Sequence, residues 1–379
     1  MTESAGAGVE LYIGLISGTS ADGIDAALVG FEENQPRLVH ALTYTWPEAL
    51  RTQILRVAQD ETQLDLDAFG RLNVAVGQTF ADATEALLAQ SGTAAASVRA
   101  VGSHGQTIRH RPSGEHPFTL QIGNGAVIAE RCGIDTVTDF RSADVAAGGQ
   151  GAPLLPAVHA MLLNAPDRTR VVLNLGGIAN ITVLAADGRV FGFDTGPANG
   201  LMDAWCLRHR GEAFDRDGAF AASGHVDERL LGRLLDDAYF AMPPPKSTGR
   251  EHFHLAWLDE RLRALSTSPA DVQATLLEFS ARSVATAIDA YANDAADVLL
   301  CGGGVHNPVM VQRLEKLLQP RELVSTAAYG VDPDYLEAVA FAWLARQRLL
   351  GLPGNLPAVT GAKGFRVLGA VYPAPRAPR

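Results

Sequence analysis

Asp194 stands in the stretch FGFDTGPANGLMDAW, with apolar residues before it and a Thr-Gly-Pro turn behind it. That setting predicts a carboxylate projecting from a strand end into a cleft, where it could take a proton from an attacking hydroxyl or water. The competing reading is structural: an aspartate here can cap the following turn and do nothing more. Asp203, farther on inside a predicted helix, is expected to make a local contact.

Three glycine turns, each at the end of an apolar strand, form a second group. In SGTSADG the hydroxyls of Ser17, Thr19 and Ser20 can donate to phosphate oxygens, and Gly18 and Gly23 let backbone N–H groups approach an anion. Asp22 would repel a phosphate, so its natural role is to hold Mg²⁺ directly or through water. A metal–phosphate complex fits such a tip, but Gly, Ser, Thr and Asp also dominate ordinary turns, and the tip alone leaves both readings open. NLGGIAN repeats the theme with Gly176 and Gly177 between Asn174 and Asn180. CGGGVHNP, with Gly302, Gly303 and Gly304, opens a helix instead, a junction able to receive a phosphate or pack against a flat nucleoside. No GxxxxGK[ST] occurs and no GxGxxG opens a helix after a first strand. That argues against a P-loop or dinucleotide site.

SHGQT, with His104 and Gln106, is read as a strand end whose polar residues contact a substrate or support one that does. No G-x-S-x-G elbow accompanies it. Arg141, in DFRSADVAAGGQGAP, could grip a carboxylate in a bidentate fork; its bland alternative is a surface or interdomain salt bridge. Glu337 lies on an otherwise apolar closing helix, as a solvated residue or a cleft-lining acid. His252 and His254 lack partners for a metal site.

The elements that must position these residues alternate between strand and helix. The opening hairpin ELYIGLISGTSADGIDAALVGF is followed by helical patterns at Glu48 to Asp60 and Leu66 to Gln90. A short strand, Ala100 to Ser103, runs into the loop SHGQTIRHRP, and AAGGQGAPLLP is read as a connection between domains. At Arg170 the hairpin theme returns in RVVLNLGGIANITVLAADGRVFGFDTG, which points to a duplicated unit. Helices are expected at Asn199 to Arg210, Asp227 to Ala241 and Ala270 to Asn293, then VMVQRLEKLL and the closing DPDYLEAVAFAWLARQRLL.

At 379 residues, 47% hydrophobic and 19% charged, the chain can bury two cores. A net charge of -11 argues against nucleic acid or an anionic membrane surface as partner. The N-terminal stretch has no basic signal-peptide region, and no run approaches a transmembrane length. Cys132, Cys206 and Cys301 are scattered and odd in number, so a reduced, cytoplasmic setting is expected.

Taken together, GLISGTSADGIDAAL, SHGQT, DFRSADVAAGGQGAPL, NLGGIANIT, FDTGPANGLMD, PPPKSTGREHF, CGGGVHNP and EAVAFAWLA resemble the anhydro-N-acetylmuramic acid kinase family of the actin/hexokinase/Hsp70 superfamily. The resemblance implies an α/β fold of two duplicated actin-like (ribonuclease H-like) domains, at 1–145 and 146–379, with an ATP cleft between them. In this scheme the helix near 333–350 is allowed to pack back near the hinge, and Gly148 to Gly151 are the hinge candidate. It implies ATP-dependent opening of 1,6-anhydro-N-acetylmuramic acid to N-acetylmuramic acid 6-phosphate in peptidoglycan recycling. Asp194 matches the base; Gly18, Thr19, Ser20, Ala21, Asp22, Gly23, Ile24 and Asp25 match the phosphate loop; Gly176, Gly177 and Gly302 to Gly304 match further ATP contacts.

His104, Gln106, Arg141 and Glu337 fall near the expected sugar, and Asp22 near Mg²⁺. Ala21 replaces a usually larger apolar residue, and Ala198-Asn199-Gly200 varies the usual turn. The implied partners are small molecules, with a homodimer left open. Two alternatives stand beside this reading: a kinase of the same fold for another sugar, and an actin- or Hsp70-like ATPase without a sugar.

Overall fold

The computed structural model describes residues 9–376 except 19, 33–34, 60–63 and 250–251, so Thr19 lies outside the described residues. Its contacts divide the chain into two units: Met1–Val158 with Tyr335–Arg379, and His159–Asp334.

The first unit opens with the expected hairpin, β1 (Glu10–Ser17) and β2 (Ile24–Glu32), extended by β3 (Gln35–Tyr44). β4 (Val98–Arg111) runs parallel to β1, with β5 (Phe118–Ile122) antiparallel and β6 (Thr136–Thr138) parallel to it. SHGQT therefore lies within a long strand and is not the start of a loop. The turn residues at its end are replaced by ladder pairing with β5 from Gln106 to Arg111. One face of the sheet, carrying Ile13, Leu15, Ala26 and Leu28, is covered by Leu72, Val76 and Phe80 of the helix Leu66–Ser91. Asp65 caps that helix by accepting from the Ala68 N–H, and Gly92 ends it in a left-handed conformation. Each of these buried Ile, Leu, Val and Phe side chains contributes about 1.5–3 kcal/mol of transfer free energy.

The second unit repeats the plan. β7 (Arg170–Leu175), β8 (Ile178–Leu184) and β9 (Val190–Pro197) form an antiparallel meander, and β10 (Asp297–Cys301) and β11 (Glu322–Ser325) add in parallel beside β7. The strand order β9-β8-β7-β10-β11 mirrors β3-β2-β1-β4-β6 of the first unit, as a duplication requires. Register between β7 and β10 is fixed by Arg170, whose Nε and Nη2 donate to the two Asp297 oxygens at 2.9 and 2.8 Å. Both side chains are buried, so removing either partner alone would cost about 3–5 kcal/mol. The helix Pro269–Tyr291 fills the core beneath this sheet, capped at Ser268. The expected helix from Asp227 to Ala241 is broken into Glu228–Leu235 and Ala238–Ala241. Asp237 starts the second piece by accepting from the Tyr239 N–H, while its carboxylate takes Trp257 Nε1 and Arg261 Nη2 at 2.9 Å.

The chain then returns to the first unit. The closing helix Leu336–Leu350 packs on the β1–β4 pair, and β12 (Ala370–Tyr372) pairs with β6. Contact is backbone to backbone: a Cβ on Gly14 would lie 1.8 Å from the Ala338 carbonyl oxygen, and one on Gly102 2.1 Å from that of Phe341. Residues 335–379 thus belong with the first unit, and the expected second domain of 146–379 is corrected on this point. The Gly148–Gly151 stretch, the hinge candidate, does not coincide with the boundary between the units after Val158. It lies inside the first unit, where Gly149 N donates to Asp144 O, Gln150 N to Thr360 O and Gly151 N to Asp144 Oδ2. Among the described residues no helix is long and apolar enough to cross a membrane.

Candidate active site

The first glycine tip is shaped by side chains from elsewhere in its unit. Gly18 O accepts from Ala21 N at 3.1 Å and from Gln106 Nε2 at 3.0 Å, so the β4 strand reaches the tip through a buried amide. Arg51 donates through Nε to Ala21 O at 2.9 Å and through Nη2 to Asp22 Oδ1 at 3.3 Å. Ala21 has φ 49°, an uncommon left-handed conformation for a residue with a Cβ, and the arginine holds it from the carbonyl side. Ala21 and Ile24 are buried in the core, so their side chains anchor the tip and do not face solvent. Ser17 is also turned inward, accepting from Trp46 Nε1 at 3.2 Å, which leaves Ser20 as the more accessible of the described hydroxyls. Asp22 is the exposed acid of the tip, with its side chain 73% accessible. Asp25 is partly buried and accepts from Thr43 Oγ1.

His104, Arg141 and Glu337 come together in the same unit. Arg141 Nε donates to His104 Nε2 at 3.0 Å, and Nη1 donates to Gly151 O at 2.7 Å. A guanidinium can only donate, so His104 Nε2 must carry a lone pair and Nδ1 the proton, given to Gly105 O at 3.0 Å. Burial first, and then the Arg141 charge, hold this imidazole well below the ordinary histidine value, which keeps it neutral. The Phe341 ring of the closing helix packs against it at 4.7 Å. Burial lowers the Arg141 pKa to about 10, against the opposing pull of Glu337 and Asp144. His104 is thus a support for Arg141, and Gln106 a support for the glycine tip.

In the second unit the glycine turns are built differently. Gly176 O accepts from Asn199 N, and Gly177 O from Ala198 N and Gly200 N, each at 3.0 Å. The first N–H groups of the helix Asn199–Arg210 thus close on the hairpin itself. Gly302 has φ 80° and ψ 164°, a region essentially restricted to glycine, and a Cβ there would lie 2.2 Å from Asn174 Oδ1. A Cβ on Gly304 would meet Leu175, whereas Gly303 is exposed with no atom nearby. The triplet therefore needs glycine twice for packing on β7 and leaves one backbone face open to a ligand. A 3₁₀ turn, Gly303–His306, precedes the helix Pro308–Leu318, so the triplet does not open that helix directly; Asn307 caps it.

Asp194 lies within β9, opposite Asn180 and beside a bulge, and not past the strand's end. It is half-buried and gripped by the loop that follows the broken helix. Its N–H donates to Lys246 O at 3.2 Å, its carbonyl accepts from the Tyr239 hydroxyl, and its Oδ2 accepts from Thr248 N at 3.0 Å. Burial, and then the Asp194 charge, raise the Tyr239 pKa, so the phenol stays a donor. Lys246 Nζ donates to Tyr239 O and lies over the Tyr239 ring at 4.6 Å; burial lowers its pKa.

Arg51, Tyr239, Lys246 and Thr248 were not singled out in the sequence. Only PPPKSTG, a stiff loop carrying two of them, held a signal. Among the described residues no group of three or more His, Cys, Asp or Glu is placed to hold a metal.

The model of the anhydro-N-acetylmuramic acid kinase family matches residues 10–374. The anhydro-N-acetylmuramic acid kinase of Xanthomonas campestris pv. campestris (strain 8004) is 56% identical over 367 residues, covering 96% of this chain and 97% of its own. That of Vibrio cholerae serotype O1 is 48% identical over 364 residues, covering 96% and 98%. Among solved structures, the activator of 2-hydroxyisocaproyl-CoA dehydratase from Clostridium difficile aligns over 90% of this chain and 96% of its own, at 12% identity and a TM-score of 0.45.

Proposed function

The chain belongs to the anhydro-N-acetylmuramic acid kinase family, and from that premise we propose how its residues divide the reaction. It is an ATP-using phosphotransferase that opens 1,6-anhydro-N-acetylmuramic acid and delivers N-acetylmuramic acid 6-phosphate and ADP. Neither the other-sugar kinase nor the sugar-free ATPase is favoured beside this membership.

Water attacks C1 of the anhydro sugar, and Asp194 takes the proton the water loses. As the C1–O6 bond breaks, its electron pair stays on O6, which captures the γ-phosphoryl group of ATP. Inverting glycosidases need a second carboxyl to protonate the leaving oxygen. Here the phosphoryl group quenches that charge, so one base suffices. The observation that carries the assignment is the three-point grip on Asp194 by Tyr239, Lys246 and Thr248, which fixes one acid at backbone and side chain together. Positioning of this kind is what turns a carboxylate into an efficient base.

Gly18 to Asp25, Gly176, Gly177 and Gly302 to Gly304 receive the nucleotide, Gly303 through its open backbone face. Arg141 and Glu337 meet the sugar, and the unused Arg141 N–H groups suit its lactyl carboxylate. Mg²⁺ fits Asp22: a single exposed acid is the protein share expected for an ion that takes its other oxygens from phosphates and water. Bound there, the ion neutralises phosphate charge. ATP as co-substrate and three buried, unbridged cysteines favour a cytoplasmic setting.

Mass spectrometry of product made in ¹⁸O-labelled water tests the chemistry: label at C1 with phosphate on O6 is expected, and unlabelled C1 overturns it. Asp194→Asn tests the base. Turnover should fall about 10²- to 10⁴-fold while ATP and sugar still bind, and a near-normal kcat removes the assignment.

A further inference from the structure

Asp144 is a carboxylate with no solvent exposure, and both of its oxygens accept hydrogen bonds. Oδ2 accepts from Gly151 N at 2.7 Å, and Oδ1 accepts from Asn355 Nδ2 and Thr360 Oγ1, each at 2.7 Å. Asn355 and Thr360 are themselves buried, on the segment that follows the closing helix. The residue held in this way, Gly151, is the one whose carbonyl accepts from Arg141 Nη1 at 2.7 Å. A continuous chain of bonds therefore runs from the C-terminal segment through Asp144 and Gly151 to the Arg141 guanidinium, which His104 fixes at its other edge.

Two of the five Arg141 N–H groups are spent on His104 and Gly151, and among the described residues the remaining three have no hydrogen-bond partner recorded. A guanidinium held on two sides presents its free edge in one orientation, which favours bidentate recognition of a carboxylate. Burying an acid is costly unless donors surround it. An ionised carboxylate accepts at every lone pair, so it can gather three donors in a way an amide cannot. Gly149 yields space to it, since a Cβ there would stand 2.2 Å from Asp144 Oδ2.

We propose that Asp144, set by Asn355 and Thr360, is a positioning residue for the anhydro sugar, acting through Gly151 on Arg141. The inference rests on the reading that Arg141 meets that sugar. It makes the segment after the closing helix part of the substrate machinery, although nothing there touches substrate.

The test separates the two levels. Asp144→Asn is the direct variant, but a misplaced amide N–H in a buried site can prevent folding, so Thr360→Val, close in shape, carries the main measurement. Its sugar KM is expected to rise about fivefold, with kcat and ATP KM within about twofold, because only ground-state sugar contacts are disturbed. Arg141→Lys should raise sugar KM by about thirtyfold or more, since a lysine cannot reproduce the fork. Adding Thr360→Val to Arg141→Lys should then raise sugar KM no further, because both changes act on one group. Unchanged sugar KM in Arg141→Lys removes the underlying assignment. A raised KM there with an unaltered KM in Thr360→Val overturns the positioning role alone. So does full additivity in the double variant, or a uniform fall in kcat with lower thermal stability.

Discussion

The two hairpin tips have the same ancestry in pattern but are held in place by different means. At the first, side chains do the holding: Gln106 grips Gly18 and Arg51 grips Ala21 and Asp22. At the second, three backbone N–H groups of a following helix close on Gly176 and Gly177, and the Gly302 turn packs on the strand beneath. Equal strand order with unequal support shows that a duplicated fold constrains the position of a hairpin tip and leaves its fastening open. The first tip can be loosened by deleting a side chain. The second yields only where a glycine is filled.

The largest effect should therefore come from Gly302→Ala. The new Cβ would meet Asn174 Oδ1, and alanine would have to adopt φ and ψ nearly forbidden to it. Strain and overpacking together should cost about 2–5 kcal/mol, seen as a lowered urea midpoint with an unchanged m-value. A midpoint equal to the parent's would mean that the turn is free to move, and the contrast between the tips would be lost.

The place of both tips was legible before any coordinates, and the means of their fastening was not. Alternating apolar runs around Gly18 and Gly176 predicted both hairpins, and helical periodicity at Leu66 to Gln90 and at Ala270 to Asn293 predicted the two long helices of the cores. What stayed hidden depends on residues far apart in sequence. Arg51 reaches the first tip from a helix with ordinary surface periodicity, and nothing local marks it. The loop AAGGQGAP reads as flexible because glycine is permissive, yet Asp144, Asn355 and Thr360 pin it from two ends of the chain. The affiliation of the closing helix did leave a trace, in the strand-interior glycines Gly14 and Gly102 that admit its backbone. Asp194 is singled out in the sequence by its setting, but its strand runs on to Pro197, because the bulge opposite Ala179 and Asn180 absorbs the turn-like DTGP.

An intermediate effect is expected at the first tip. Arg51→Ala removes one bond to the Ala21 carbonyl and the ion pair to Asp22, both near the surface. Global stability should change by about 1 kcal/mol or less, since partly exposed pairs contribute little. Nucleotide handling should suffer more: ATP KM is expected to rise about tenfold while sugar KM holds, because Ala21 loses the contact that opposes its strained conformation. Equal losses for both substrates would show that Arg51 supports the whole unit and not the tip.

Asn199→Ala is the matching change at the second tip, and there the expected effect is smallest. The Asn199 side chain donates from Nδ2 to Leu175 O at 2.9 Å, a bond comparable in length to that of Arg51 with Ala21. Deleting it leaves the backbone donors of Ala198, Asn199 and Gly200 in place, because alanine keeps its own N–H. The cost should stay near 1 kcal/mol, the net worth of one side-chain hydrogen bond, with ATP KM within about twofold of the parent. If ATP KM rose as far as in Arg51→Ala, side chains would be fastening both loops, and the backbone closure would be incidental. If it stayed flat while the arginine variant weakened, the duplicated loops would have diverged in the means of their support and kept their place in the fold.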